Sequence, residues 1–432
     1  REHTADVWYE KTAAELLGPG VACAKCGSKE FRKENDILDV WFDSGSSHLA
    51  VLHERNGLPW PSDMYLEGGD QYRGWFHSSL LVGVGLKGGS PYRECATNGW
   101  ALDGEGRAMS KSLGNVIAPE EVIKKYGADV LRLWVSSVAF QEDVRLSELI
   151  LTRLTEAYRK LRNTFRYALG NLHDFDPAAD MLPGGELAEI DRWILYRAAA
   201  LVETCAGYYD ELAFHRVYQA VYNFATTDLS AVYFDVLKDR LYTCSPKSKA
   251  RRSAQTALYR VNHALLRLVA PILSFTAEEA WGHLHKTAAD PASVHLAYKP
   301  EASELTAGLA SDHAALSSNW DRLMEVRDTV LKSLEAARNE KLIGAPLEAK
   351  VVLTAGPELY PLLEQYRAEL PGLFITSEVE LRQGESLQAA IERAGGVKCE
   401  RCWKYTRDVG LDAALPTVCA PCASAVREMT GH

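Results

Sequence analysis

The sequence predicts a multidomain chain: an α/β segment, then an all-α bundle, then a small α+β region ending in a cysteine-rich ribbon. Three observations predict it. Before residue 147, short strand-like apolar stretches alternate with helical ones, the pattern of an α/β layer structure with parallel strands. From 147 to about 285, apolar residues recur at helical spacing. The C-terminal stretch holds Cys399, Cys402, Cys419 and Cys422.

The elements in order justify these divisions. Residues 1–36 are polar and peripheral, with Gly18-Pro19-Gly20 and a Cys23-x-x-Cys26-Gly27 knuckle. Within 37–146, residues 37–42 look β-rich, and Met64-Tyr65-Leu66 runs into Glu67-Gly68-Gly69-Asp70. Residues 75–86 are apolar enough for a buried helix. Residues 95–102 read as a strand before an Asp103-Gly104-Glu105-Gly106 turn. Residues 147–300 read as a helical domain. Ser147 is a plausible N-cap, and Ile150, Leu154, Ala157, Leu161 and Phe165 form one helix face. Further amphipathic stretches cover 187–206, 213–237 and 253–270, and Thr276 with Glu279 has capping-box spacing. Residues 301–395 are mixed: a helical stretch at 316–340, then strands at Val351-Val352-Leu353 and Val379-Glu380-Leu381. Residues 396–432 form the ribbon.

Composition narrows the function classes. Lysine and arginine total 48 against 58 acidic residues, a net charge of −10 over 432 residues. That excludes a chain that coats nucleic acid by bulk positive charge, while leaving room for a local basic surface. No apolar run approaches the roughly 18 residues of a membrane span. Six of the nine cysteines sit in C-x-x-C pairs, which reads as metal binding or redox chemistry rather than a disulfide framework.

Two features carry chemistry. Sixteen residues separate Cys402 from Cys419, a zinc-ribbon spacing. Four thiolates complete a tetrahedron and leave no place for substrate, so one zinc there is structural. Trp403, Lys404, Tyr405 and Arg407 follow the first knuckle and could stack on bases and meet phosphates. Cys23 and Cys26 make only a half-site, either a structural remnant or a metal site completed elsewhere. The second feature is the polar loop at 106–115, where Lys111 on a mobile serine-rich segment suits charge developing on phosphate oxygens.

Met109-Ser110-Lys111-Ser112 resembles the lysine-serine signature loop of class I aminoacyl-tRNA synthetases. Asp39-Val40-Trp41-Phe42-Asp43-Ser44-Gly45-Ser46 and Tyr65-Leu66-Glu67-Gly68-Gly69-Asp70-Gln71-Tyr72-Arg73-Gly74-Trp75-Phe76 resemble blocks typical of the bacterial isoleucyl members. So does the ribbon beginning Lys398-Cys399-Glu400-Arg401-Cys402-Trp403. The resemblance covers essentially the whole chain.

The resemblance implies the second half of a Rossmann-like catalytic fold, an anticodon-binding bundle and a zinc ribbon. It assigns Glu67, Gly68, Asp70, Gln71, Asn98, Gly99, Met109 and Lys111 to ATP and adenylate binding. Lys111 and Ser110 take the catalytic loop role, and Trp41 and Trp75 the isoleucine pocket. The implied reaction activates isoleucine with ATP and Mg2+ and transfers it to isoleucine tRNA, in the cytoplasm, by a monomeric full-length enzyme. Arg153, Arg159, Lys160 and Arg162, with Lys247, Lys249, Arg251 and Arg252 in a loop, are the basic candidates for tRNA contact.

The sequence departs from the family in places. Ala108 stands where the signature usually has its first lysine, and Asn98 where histidine is common. None of the twelve histidines forms the early His-x-Gly-His motif, and the inserted editing domain is missing. The expectation is a C-terminal portion, inactive alone and completed by an N-terminal catalytic fragment. The alternatives are a non-catalytic tRNA-binding module and a synthetase for a related aliphatic amino acid.

Overall fold

In the computed structural model, which describes residues 4–52, 56–310 and 312–430, the chain divides into two units. One is Arg1–Trp100 with Gln141–Asp143; the other is Ala101–Phe140 with Val144–His432.

The first unit is built on two parallel strands, Ser62–Gly68 and Tyr92–Asn98, joined by the helix Trp75–Lys87. Parallel neighbours need such a crossover. Tyr65 pairs with Cys95 and Gly68 with Asn98. The helix ends at Gly88 in the left-handed region that a Cβ disfavours. Two expectations change. Residues 37–42 contain no strand: Asp39 accepts from Trp41 N at 2.8 Å and caps a short helix, Val40–Gly45, whose side-chain cap outweighs the β propensity of the run. The helix Trp75–Lys87 is not wholly buried. Phe76, Ser79 and Gly83 are covered, whereas Leu81, Val84 and Leu86 are exposed, because its apolar residues surround the helix and the strand pair covers one side.

The strand expected at 95–102 is divided. Tyr92–Asn98 pairs within the first unit, while Ala101–Leu102 pairs with Val144–Arg145 in the second. The break falls at Gly99, where an added Cβ would lie 2.2 Å from the Glu142 carbonyl oxygen.

The second unit is mainly helical. Ser147 Oγ accepts from Ile150 N at 3.3 Å and starts the helix Glu148–Asn171, as expected. Glu189–Asp210, Phe214–Asn223, Phe234–Thr243, Lys249–Val269 and Ser274–His283 follow, with a π-helical stretch at Phe224–Tyr233. Trp281, Tyr233, Ile194 and Leu258 are among its most buried side chains. Thr276 and Glu279 form no capping box. They lie inside the helix Ser274–His283, and Asp129 supplies the cap from another helix, accepting from Phe275 N, Thr276 N and Thr276 Oγ1 at 3.2, 2.7 and 2.6 Å.

A buried polar knot fixes the bundle interior. Asp191 is fully buried and accepts from Arg240 Nη1 and Nη2 at 2.8 and 2.7 Å, Tyr233 Oη at 2.7 Å and Ser253 Oγ at 2.5 Å. Beyond the bundle, the helix His313–Asn339 leads to a three-stranded sheet. Ala349–Ala355 is central, parallel to Glu378–Gln383 and antiparallel to Gln388–Arg393. Among the described residues no helix is long and apolar enough to cross a membrane.

Candidate functional site

In the first unit, the family-like block converges on the start of the helix Trp75–Lys87. Gln71 Oε1 accepts from Trp75 N at 3.0 Å, which spends its acceptor on the helix end and leaves Nε2 as a donor. Asp70 Oδ2 lies 3.4 Å from that Nε2, and Glu67 Oε1 accepts from Gly68 N at 3.0 Å. Side chains close over both glycines: a Cβ at Gly68 would lie 2.6 Å from Asp70 Oδ1, and one at Gly74 would lie 2.8 Å from the Trp41 ring, so a side chain at either position would displace these groups. Trp75 stacks on Tyr65 at 4.2 Å and donates Nε1 to the Ser44 carbonyl at 3.0 Å. The structure thus gathers Trp41, Gly68, Asp70, Gln71 and Trp75. The Trp41 face is half exposed, and Trp75 is partly exposed, with its Nε1 and one ring face engaged by Ser44 and Tyr65. Asn98 Nδ2 donates to the Gly99 carbonyl at 3.0 Å. The cause of glycine at 99 visible here is the Glu142 backbone.

The signature-like loop belongs to the second unit. Its backbone is organised rather than loose. Asn115 accepts from Ser110 N at 2.9 Å through Oδ1, and its Nδ2 donates to Asp103 Oδ2 at 2.9 Å and to the Ala108 carbonyl at 3.2 Å. Asp103 also accepts from Arg107 N at 2.8 Å and Arg107 Nε at 2.9 Å. Hydrogen bonds from Asn115 and Arg107 hold the Asp103 carboxyl well below the usual carboxylate range. Met109 packs against the core, Ser110 Oγ meets Ser112 Oγ at 3.1 Å, and Lys111 is exposed. Asp103 and Asn115 were missed as organising residues. In the sequence Asp103 reads as a turn residue and Asn115 as the end of a polar loop, and nothing in the spacing signals that the two side chains meet.

At the ribbon, the four sulfur atoms lie within 4.8 Å of one another, with Cys402 Sγ to Cys419 Sγ at 3.7 Å. Four thiolates at about 2.3 Å from a tetrahedral zinc stand about 3.8 Å apart, so the donor set fits that ion. Burial pushes the Cys399 thiol up, but the backbone N–H groups of Cys402, Cys419 and Arg401 together hold it at about 6. Burial pushes Cys419 up to about 11 and Cys402 in the same direction. Cys23 and Cys26 form a similar backbone turn, with Gly27 N donating to the Cys23 carbonyl at 2.8 Å. Neither joins a metal-ligating cluster among the described residues.

The basic candidates separate by geometry. Arg251 and Arg252 start the helix Lys249–Val269 rather than a loop, and both turn inward onto Asp174. Arg162 is paired with Glu279 and Lys249 with Glu186. Arg153 and Arg159 stay exposed on the helix Glu148–Asn171.

Known proteins match this arrangement. The family described as tRNA synthetases class I (I, L, M and V) matches residues 1–147. The anticodon-binding domain of tRNA ligase matches 191–353, and the zinc finger found in FPG and IleRS matches 396–425. The Isoleucine–tRNA ligase of Geobacter sulfurreducens is 51% identical over 438 residues, covering 98% of this chain and 46% of the relative. That of Moorella thermoacetica is 48% identical over 443 residues, covering 99% and 47%. The Agrobacterium radiobacter LeuRS–tRNA–LeuAMS ternary complex shares the fold, with a TM-score of 0.52 and 18% identity over 78% of this chain and 37% of that one. Fold, loop and ribbon together define a class I tRNA synthetase architecture. The chain belongs to the isoleucine–tRNA ligase family within that class. It spans about half the length of the curated relatives it matches.

Proposed function

We propose that the chain supplies part of an isoleucine–tRNA ligase, which activates isoleucine with ATP and Mg2+ and transfers it to isoleucine tRNA. The observation that supports this best is the 51% identity to an isoleucine–tRNA ligase over 98% of this chain, which carries Trp41, Glu67, Asp70, Gln71, Trp75 and Lys111 in the blocks that resemble the family. Catalysis in this reading is positioning and electrostatics. Glu67, Gly68, Asp70 and Gln71 hold the hydroxyl and amino-acid end of the adenylate, beside Asn98 and Gly99. Trp41 and Trp75 wall the aliphatic side chain. Ser110 and Lys111, on the loop organised by Asp103 and Asn115, meet charge developing on the leaving pyrophosphate, with Met109 anchoring the loop. The domain division of labour is 37–146 for chemistry, 147–300 for the anticodon stem and loop, and 301–432 for the anticodon end, with one structural zinc at Cys399, Cys402, Cys419 and Cys422. Six cysteines arranged as C-x-x-C pairs rather than as a disulfide framework support a reducing, cytoplasmic setting.

The sequence contains no His-x-Gly-His element. The test therefore joins this chain to a chain that supplies that element and measures isoleucine-dependent pyrophosphate exchange. Lys111→Ala is expected to lower kcat of exchange about 100-fold while changing the KM for isoleucine less than about threefold. Equal effects on both would remove the assigned role, and dependence on another aliphatic amino acid would replace the substrate.

A further inference from the structure

The ribbon is tied into the helical bundle by two side chains that are not metal ligands. Arg401, between the cysteines of the first pair, donates Nη1 to the Thr243 carbonyl at the end of the helix Phe234–Thr243. The same nitrogen lies 3.7 Å from Cys422 Sγ. Lys404 Nζ donates to Asp239 Oδ2 at 2.6 Å, one turn earlier on that helix. A helix C-terminus with unpaired carbonyls and a last-turn carboxylate is a natural receptor for cations. A third link reaches the α+β region: Tyr405 N donates to Ser377 Oγ at 2.8 Å, which donates to the Leu347 carbonyl at 2.5 Å.

The knuckle carrying these groups is held in an uncommon backbone shape. Trp403 has φ +66°, in the left-handed region that a bulky side chain rarely takes. Two hydrogen bonds close around it, Cys399 N to the Lys404 carbonyl and Trp403 N to the Cys399 carbonyl, both 2.9 Å. Beside it lies a cleft of about 360 Å³ lined by Tyr242, Leu347, Ile375, Arg401, Trp403 and Lys404. Ile375, from the α+β region, also has positive φ, +59°. Strain of this kind persists only where the surroundings over-determine it.

We propose that Arg401 and Lys404 are positioning residues that couple metal occupancy of the ribbon to the C-terminal end of the helix Phe234–Thr243. The inference rests on the zinc reading above and goes beyond it: the metal orders a bundle helix end as well as its own knuckles. With the four thiolates gathered on one ion, the knuckle presents Arg401 and Lys404 in a single geometry. Without the ion, the knuckle opens, Trp403 leaves the left-handed region and both links are lost. By linkage, the helix end in turn favours the metal-bound ribbon.

The test uses the 432-residue chain, loaded with zinc or stripped by a chelator, with metal content measured and amide hydrogen exchange followed over residues 237–246. Stripping is expected to speed exchange there at least tenfold, with little change over 190–205. Arg401→Gln with Lys404→Met is expected to retain about one zinc, exchange fast while loaded, and no longer respond to stripping. In the cobalt-substituted protein, Arg401→Gln should shift the thiolate charge-transfer band by removing the donor beside Cys422, and Arg401→Lys should restore part of it. Wild-type exchange in the loaded double variant overturns the coupling, as does no response of the unaltered chain to stripping. A chain that binds no metal overturns the zinc reading instead, and the metal analysis reports that separately.

Discussion

Replacing Arg240 by methionine tests the buried knot at Asp191. The substitution keeps a long apolar stem and removes the guanidinium that gives the carboxylate two charge-assisted bonds at 2.7 and 2.8 Å. Burial works against the Arg240 charge, but Asp191 outweighs it and raises its pKa. Hydrogen bonds to charged groups contribute about 1.5–3 kcal/mol each, so losing two predicts about 3–6 kcal/mol. Removing one partner of a buried ion pair gives a similar figure, about 3–5 kcal/mol. Tyr233 and Ser253 still donate to Asp191, which places the expected loss toward the lower end. A chain of several domains does not unfold in one step, so the assay is native-state hydrogen exchange across Glu189–Asp210 and Phe234–Thr243. The slowest amides there should lose about 3 kcal/mol of protection. Asp191→Leu together with Arg240→Met should recover more than half, because no buried charge is left. A single variant costing under about 1 kcal/mol, or a double variant costing the sum of the singles, would refute the reasoning.

Three other outcomes follow from the same structure. Burial holds the His263 imidazole below its ordinary value despite Asp290 at 2.7 Å, so the folded chain takes up this proton at lower pH than the unfolded chain, whose imidazole titrates near pH 6.5. Stability should fall as pH drops below about 6.5, and His263→Gln should flatten the pH dependence of exchange protection across Lys249–Val269 between pH 7 and 5, corrected for intrinsic exchange rates; an unchanged slope would exclude this group. Cys399→Ser with Cys402→Ser should remove about one equivalent of zinc, and unchanged metal content would eliminate the ribbon site. Gly99→Ala puts a Cβ 2.2–2.3 Å from the Glu142 carbonyl group, so limited proteolysis near the strand Tyr92–Asn98 should accelerate; an unaltered digestion pattern would show that the backbone there yields freely.

What the sequence makes legible is what neighbours in the chain decide. The helix Glu148–Asn171 follows from its apolar period and from Ser147, and the ribbon follows from the spacing of four cysteines. The strand Gln388–Arg393 escapes because it lies at a sheet edge with mostly exposed positions, leaving little apolar pattern to read. The short helix Val40–Gly45 escapes because β-forming residues dominate its sequence while a single side-chain cap decides its backbone.

The basic residues show the limit most clearly. On the sequence, Arg251 and Arg252 are as suitable for RNA as Arg153 and Arg159. Only the fold brings Asp174, about eighty residues earlier, onto the first pair and leaves the second pair facing water. The same holds for the ribbon: its ligands can be read from spacing alone, but the acceptors of Arg401 and Lys404 lie 158 and 165 residues away. Local sequence thus specifies a metal knuckle completely without revealing what it braces. An identical knuckle on another chain carries no expectation of coupling unless a helix end supplies both a free carbonyl and a carboxylate one turn before it.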